Sequence, residues 1–179
     1  MNNVISVNSG LAKLYLEGIE HRNVIVRIVK ATNFIGGPGL YLDQQHHFSV
    51  MALVDTVVCF IDLNIFKEII ATNRMFQEEF MKDFSRSVLS VYNRIISLTQ
   101  KQIPGRMADT LIYLMDEIFG SSSFEMVLNR QDLADLSAMS KDSAVKVLRQ
   151  FENEKIIKIN SKTIEITDPG ALKMISKIG

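Results

Sequence analysis

Near Asn64 the apolar residues of this chain change period, and a strand-forming pattern gives way to a helical one. Before that point VISV, LAKLYL, NVIVRIV, FSVMAL and TVVCFIDL read as short strands. They are rich in Val, Ile and Phe and are bounded by Asn-Ser-Gly, Glu-His-Arg and Gly-Gly-Pro-Gly. The pattern predicts a β sandwich or roll. Five or so strands beginning at residue 4 leave little chain to close a barrel or shield both edges, so the expected roll is partial.

After the change Phe80, Phe84, Val88, Val91, Ile95 and Leu98 recur at steps of four, four, three, four and three, with Glu79, Lys82, Asp83, Arg86 and Asn93 between them. This spacing predicts an amphipathic helix over Phe76–Gln100 with a near-heptad seam. Packing on the strands would account for one apolar edge. Phe76, Leu89, Tyr92 and Ile96 supply a second, and the reading adopted is one edge for the β domain and one for a copy of the same helix, the copies pairing along the seam from Phe80 to Leu98. Ile103-Pro104-Gly105 interrupts the pattern, and a shorter helix follows with Met107, Leu111, Leu114, Met115 and Ile118 inward, closed by Gly120.

In LNRQDLADLSAMSKDSAVKVLRQFENEKII, Asn129 reads as a helix N-cap with Asp132 in the first turn, and Ser140 caps a second helix from Lys141 to about Asn153. Two short helices about a tight turn at Ser137-Ala138-Met139 form a helix-turn-helix. On the second helix Ala144, Val147, Leu148 and Phe151 make an inward stripe. Asp142, Lys146 and Arg149 lie opposite, flanked by Lys141 and Ser143. Side chains of these types reach base edges in a major groove, Lys and Arg to guanine and an acid to cytosine N4. The plainer alternative is a solvated face with an Asp142–Lys146 ion pair. Residues 156–167 then read as a hairpin whose polar tip carries Lys162, which completes a winged helix.

Charge adds little: formal net charge is zero, and residues 129–179 hold nine Lys+Arg against seven Asp+Glu. No apolar run approaches the roughly 20 residues of a membrane-spanning helix, and the start lacks signal-peptide order, so a cytoplasmic protein without a membrane partner is expected. The single cysteine, Cys59, can form no internal disulfide and cannot alone hold a cluster or structural zinc; it reads as a buried small hydrophobe. No Ser/His/Asp or Cys/His arrangement is discernible and GGPG lacks the rest of a phosphate loop, so no enzyme, metal site or cofactor is expected.

The order of roll, long helix and winged helix-turn-helix resembles the CRP/FNR family of bacterial transcription regulators. The resemblance rests on FIGGPGLY and the following strands, on the helix from Phe76, and most of all on the segment from Leu128 to Ile157. It implies an α+β protein with a jelly-roll-like sensor over 1–75, a dimerisation helix over 76–102 and a winged helix-turn-helix over 103–179. By resemblance Lys141, Asp142 and Lys146 face bases, while Arg130, Gln131 and Ser140 lie where such modules hold phosphates. Duplex DNA, a second copy of the chain and RNA polymerase are the implied partners.

Two departures bear on the sensor. Family members that bind cyclic AMP carry a Gly-Glu pair and an Arg followed by a small hydroxyl residue; here Gly36-Gly37 and Phe48-Ser49 stand in their place. Carboxylate and guanidinium are both missing, so the pocket reads as degenerate, cyclic AMP is not expected to bind, and the effector is open. The family's N-terminal helix and first strands have no counterpart. One cysteine rules out an iron–sulfur sensor, and His21, His46 and His47 read as surface residues rather than haem ligands. The expected function is a homodimeric, sequence-specific DNA-binding regulator; the competing one is a sensor or adaptor whose winged helix meets proteins.

Overall fold

β-Branched and aromatic residues set the first element, and glycine sets the first turn. Strands β1 (Asn3–Ser9) and β2 (Leu11–Leu16) flank Gly10, whose φ of +90° only glycine adopts without strain. The computed structural model describes residues 1–21 and 23–179; the side chain of His21, and the surface role expected for it, lie outside them. The chain divides into two units, Met1–Asn93 and Arg94–Gly179.

In the first unit β3 (Val24–Lys30), β4 (Phe34–Ile35), β5 (Ser49–Ala52) and β6 (Val57–Asp62) complete two antiparallel three-stranded sheets, ordered β4-β1-β6 and β3-β2-β5. Val7, Ala12, Leu14, Val29 and Ile35 form one buried cluster. Val4, Leu40, Leu63, Phe66 and Ile70 form the other.

Helix α1 (Leu63–Thr72), which the strand-to-helix reading passed over, begins where the Asp62 carboxylate accepts from the amides of Asn64 and Ile65 at 2.8 and 3.2 Å. Helix α2 (Arg74–Gln100) starts two residues before the expected Phe76. Phe76 and Phe80 pack edge-to-face on the buried ring of Phe66, with centroids 5.8 and 5.5 Å apart. Arg27 of β3 ties α2 further, pairing with Asp83 at 3.0 Å and donating to the Ser87 hydroxyl at 2.6 Å. Phe80, read as part of the partner-facing seam, is thus partly committed to the core of its own chain.

Cys59 is exposed, not buried as expected. β6 pairs only with β1 among the described residues, and its core contacts come from Val58 and Ile61, which leaves Cys59 and Phe60 turned outward. Apolar content alone could not distinguish this strand from a fully covered one.

The second unit is helical with a small sheet. The helical run is interrupted at Lys101-Gln102, just before the expected Ile103-Pro104-Gly105, and Pro104 sits in the first turn of α3 (Ile103–Tyr113), where its missing N–H has no partner to lose. A π turn over Leu114–Phe119 follows, ended by Gly120 at φ +62°. Then come β7 (Ser123–Glu125), α4 (Arg130–Ser137), α5 (Lys141–Asn153), β8 (Ile157–Asn160), β9 (Thr163–Ile166) and α6 (Pro169–Ile178). Two of these were not anticipated. β7 adds a third strand to the expected hairpin, in the order β7-β9-β8. Helix α6, capped by Asp168, packs on α3 with Leu172 fully buried. Asp109 of α3 gathers Ser97, Lys101 and Ser176 at 2.6, 2.8 and 2.5 Å, joining the ends of α2 and α6 to α3.

Candidate nucleic-acid interface

Helix α4 is started by a complete capping box: the Asn129 side chain accepts from the amides of Gln131 and Asp132, and the Asp132 carboxylate accepts from the Asn129 amide at 3.1 Å. It ends at Ala138, which is left-handed at φ 46°, ψ 57°. Ser140 then caps α5 by accepting from the Ser143 amide at 3.1 Å. A left-handed alanine costs about 1–2 kcal/mol. Ala138→Gly should therefore raise the stability of this unit by up to about 1 kcal/mol, after allowing for glycine's freer unfolded chain. Thermal or denaturant unfolding reads the difference, and no gain would contradict the turn described here.

Below the cap the faces of α5 separate. Ala144, Val147, Leu148 and Phe151 are buried, while Lys141, Asp142, Lys146 and Arg149 are exposed. None of these four forms an ion pair or side-chain hydrogen bond among the described residues. The Asp142–Lys146 pair of the plainer alternative is thus not made. Arg130, from the first turn of α4, joins Lys141, Asp142, Lys146 and Arg149 around an open depression of about 780 Å³. Val145, absent from the residues selected on charge, lines it too and puts one apolar surface in a polar setting. Its place on the helical wheel between Lys141 and Arg149 was the available signal.

The remaining selected residues lie around this group. Gln131 is exposed, but its amide donates to the buried Asp135 carboxylate at 2.7 Å. The Ser140 hydroxyl donates to that of Ser143 at 2.8 Å. Lys162 is exposed in the two-residue β8–β9 turn. Arg94 and Arg106 were not selected, yet they reach main-chain carbonyls of the helix-turn-helix, Asp135 at 3.2 Å and Ala138 at 3.1 Å. Burial holds the Arg94 guanidinium below its ordinary pKa, with Tyr113 opposing.

In the first unit Gly37 stands at φ 69°, ψ −172°, and a β-carbon there would lie 2.5 Å from the ring of Phe48. Gly37 and Phe48 are therefore neighbours, with an aromatic ring against the glycine backbone, while a β-carbon at Gly36 would meet Val4 and Leu40 instead. The Ser49 hydroxyl donates to Glu17 at 2.8 Å. His46 and His47 are both exposed: the His46 ring lies beside that of Phe48 and His47 pairs with Asp43 at 2.9 Å. No three His, Cys, Asp or Glu side chains are grouped as a metal site among the described residues, and no described helix is long and apolar enough to cross a membrane.

Comparison with known proteins agrees with both units. Residues 1–73 match the family model for a cyclic nucleotide-binding domain, and residues 105–175 that for a Crp-like helix-turn-helix domain. Among curated relatives, electron transport regulator A of Shewanella oneidensis is 23% identical over 180 residues, covering 98% of this chain and 72% of its own length. The HTH-type transcriptional regulator Cmr of Mycobacterium tuberculosis is 24% identical over 167 residues, covering 93% of this chain and 66% of its own. The chain thus spans about two thirds to three quarters of the length of these relatives. The solved structure of FixK2 from Bradyrhizobium japonicum superposes with a TM-score of 0.86 at 15% identity, covering 97% of this chain and 87% of that one, a likeness of fold. With a cyclic nucleotide-binding domain and a Crp-like helix-turn-helix domain matched in this order along the chain, it belongs to the CRP/FNR family of DNA-binding transcription regulators, a family of regulators and not of enzymes.

Proposed function

We propose that this protein is a sequence-specific, cytoplasmic regulator that binds a near-palindromic duplex as a homodimer. The observation that carries the reading is the face of α5, where Lys141, Asp142, Lys146 and Arg149 are exposed and unpaired opposite a buried stripe. Thirteen residues of helix span about 20 Å, enough to lie along a major groove. Lys141, Asp142 and Lys146 face base edges, with Ser143 and Arg149 flanking them; Arg130, Gln131 and Ser140 hold phosphates, and Lys162 approaches the backbone from the wing. A further contact with RNA polymerase is part of the same reading.

Pairing through α2 is supported by the exposure of Phe84, Val91 and Ile95, with half-buried Val88 and Leu98 continuing the stripe and Leu89, Tyr92 and Ile96 beside it. Two such copies set their recognition helices about one helical turn of DNA apart. The functional division is a sensor over 1–75, a pairing helix over 76–102 and a DNA reader over 103–179. The sensor does not take cyclic AMP: Phe48 covers Gly37, and neither position offers a charge to a cyclic phosphate.

Selection of genomic fragments on the purified protein, with and without cell extract as a source of effector, tests the reading. Enrichment of a palindromic motif is expected, with affinity falling steeply as salt rises. No enrichment in either arm would favour a winged helix that meets proteins. On the recovered motif Lys146→Ala should lower discrimination at one base pair by about 1–3 kcal/mol, read by titrating single-base variants. Full sequence preference in the mutant would remove Lys146 from the base-reading set.

A further inference from the structure

The last turn of α4 poses a problem of main-chain accounting. Ala134 accepts from the amides of both Ala138 and Met139, so neither amide serves the Asp135 carbonyl. The carbonyl of Ala138, inside the left-handed turn, likewise lies outside any helix ladder. Partly buried carbonyls of this kind need donors, and a helix C-terminus favours cations. Both requirements are met by arginines from other helices: Nη2 of Arg94, on α2, donates to Asp135, and Nη1 of Arg106, on α3, donates to Ala138. Thr110 supports the same turn, meeting the Ser137 hydroxyl at 2.9 Å and donating to the Arg106 carbonyl at 3.0 Å.

The arrangement is made at a cost. The Nε atoms of Arg94 and Arg106 are buried and make no hydrogen bond, a penalty that an apolar side chain of similar length would avoid. Two guanidiniums so placed do more than fill space. Arg94 fixes a main-chain oxygen in the last turn of α4 and Arg106 one at the left-handed residue that follows it, and this end of α4 with its turn sets the angle at which α5 is presented.

We propose that Arg94 and Arg106 are positioning residues for DNA reading, a pair of guanidinium clamps that fix the helix-turn-helix angle without touching DNA. The inference rests on the assignment of α5 as the reading helix. Loosening the angle should affect base contacts, which need placement within a fraction of an ångström, far more than phosphate contacts made by long, flexible side chains.

Arg106→Met and Arg94→Met keep the length and remove the donors, and Arg106→Lys restores one. Two measurements test them at a temperature where each variant is folded by circular dichroism. The first is the ratio of affinities for a duplex recovered by genomic selection and a scrambled duplex of equal length. Arg106→Met should lower that ratio by roughly tenfold, the scale of one hydrogen bond to a charged group, with scrambled-duplex affinity nearly unchanged and Arg106→Lys recovering part. An unchanged ratio, or equal loss on both duplexes, overturns the proposal. The second needs no DNA. Amide exchange at Met139 should quicken by about tenfold in Arg106→Met while the β8–β9 amides keep their rates. Unchanged Met139 exchange overturns the clamp even if no duplex is ever recovered, whereas quickened exchange without DNA binding would retain the clamp and defeat the DNA-reading assignment.

Discussion

Val91→Asp is expected to leave both units of the chain folded, to yield monomers, and to lower operator affinity by about 10²–10⁴-fold, the gain that linking two binding modules supplies. Val91 is 40% exposed, in a stripe with Phe84 at 39% and Ile95 at 52%, so the substitution removes little packing within its own chain. In a helix pair the same position would be covered, and an unpaired carboxylate there would lose water without gaining a partner. Sedimentation and DNA titration together check the result. A dimer that survives the change, or a monomer that binds the operator as tightly as the unaltered chain, would remove α2 as the pairing element.

The second large effect belongs to Phe151. Its side chain is completely buried on the inner stripe of α5, and Phe151→Ala should cost about 3–5 kcal/mol. That is a large part of the roughly 5–15 kcal/mol that stabilises a domain. The expected result is early melting of Arg94–Gly179, with the unfolding transition of the first unit kept in place. Calorimetry distinguishes the two, and a shift equivalent to less than about 1 kcal/mol would be incompatible with the packing around α5.

What could be read from the amino acids alone follows from where the deciding interactions lie. The faces of α5 were legible because a buried stripe and an exposed one alternate at the helical period within thirteen residues. The Asn129 cap is likewise local. β7 was missed because three residues are too few to show a period, and α1 because Leu63 serves at once as the end of an apolar strand run and the start of a helix. Helix α6 announced itself only through Asp168-Pro169, a cap and first-turn pair that was overlooked. The exposure of Cys59 and the turn of Phe80 toward Phe66 depend on which neighbours cover which face, and no spacing encodes that. Arg94 and Arg106 were invisible for a further reason: their partners are main-chain oxygens, which leave no mark on residue identity.

Asp142 has a consequence at the scale of a chromosome. A regulator searching a genome meets about 10⁶–10⁹ competing sites, and its free concentration depends on how weakly it holds them. A reading face made only of cations would be retained by every stretch of phosphate it met. On the proposed reading, the exposed carboxylate of Asp142 among Lys141, Lys146 and Arg149 repels phosphate wherever the helix lands, and that cost is offset only where a cytosine amine donates to it. Removing that charge should tighten binding to random DNA and slow the search, so that a protein holding DNA more strongly would occupy its own operator less of the time.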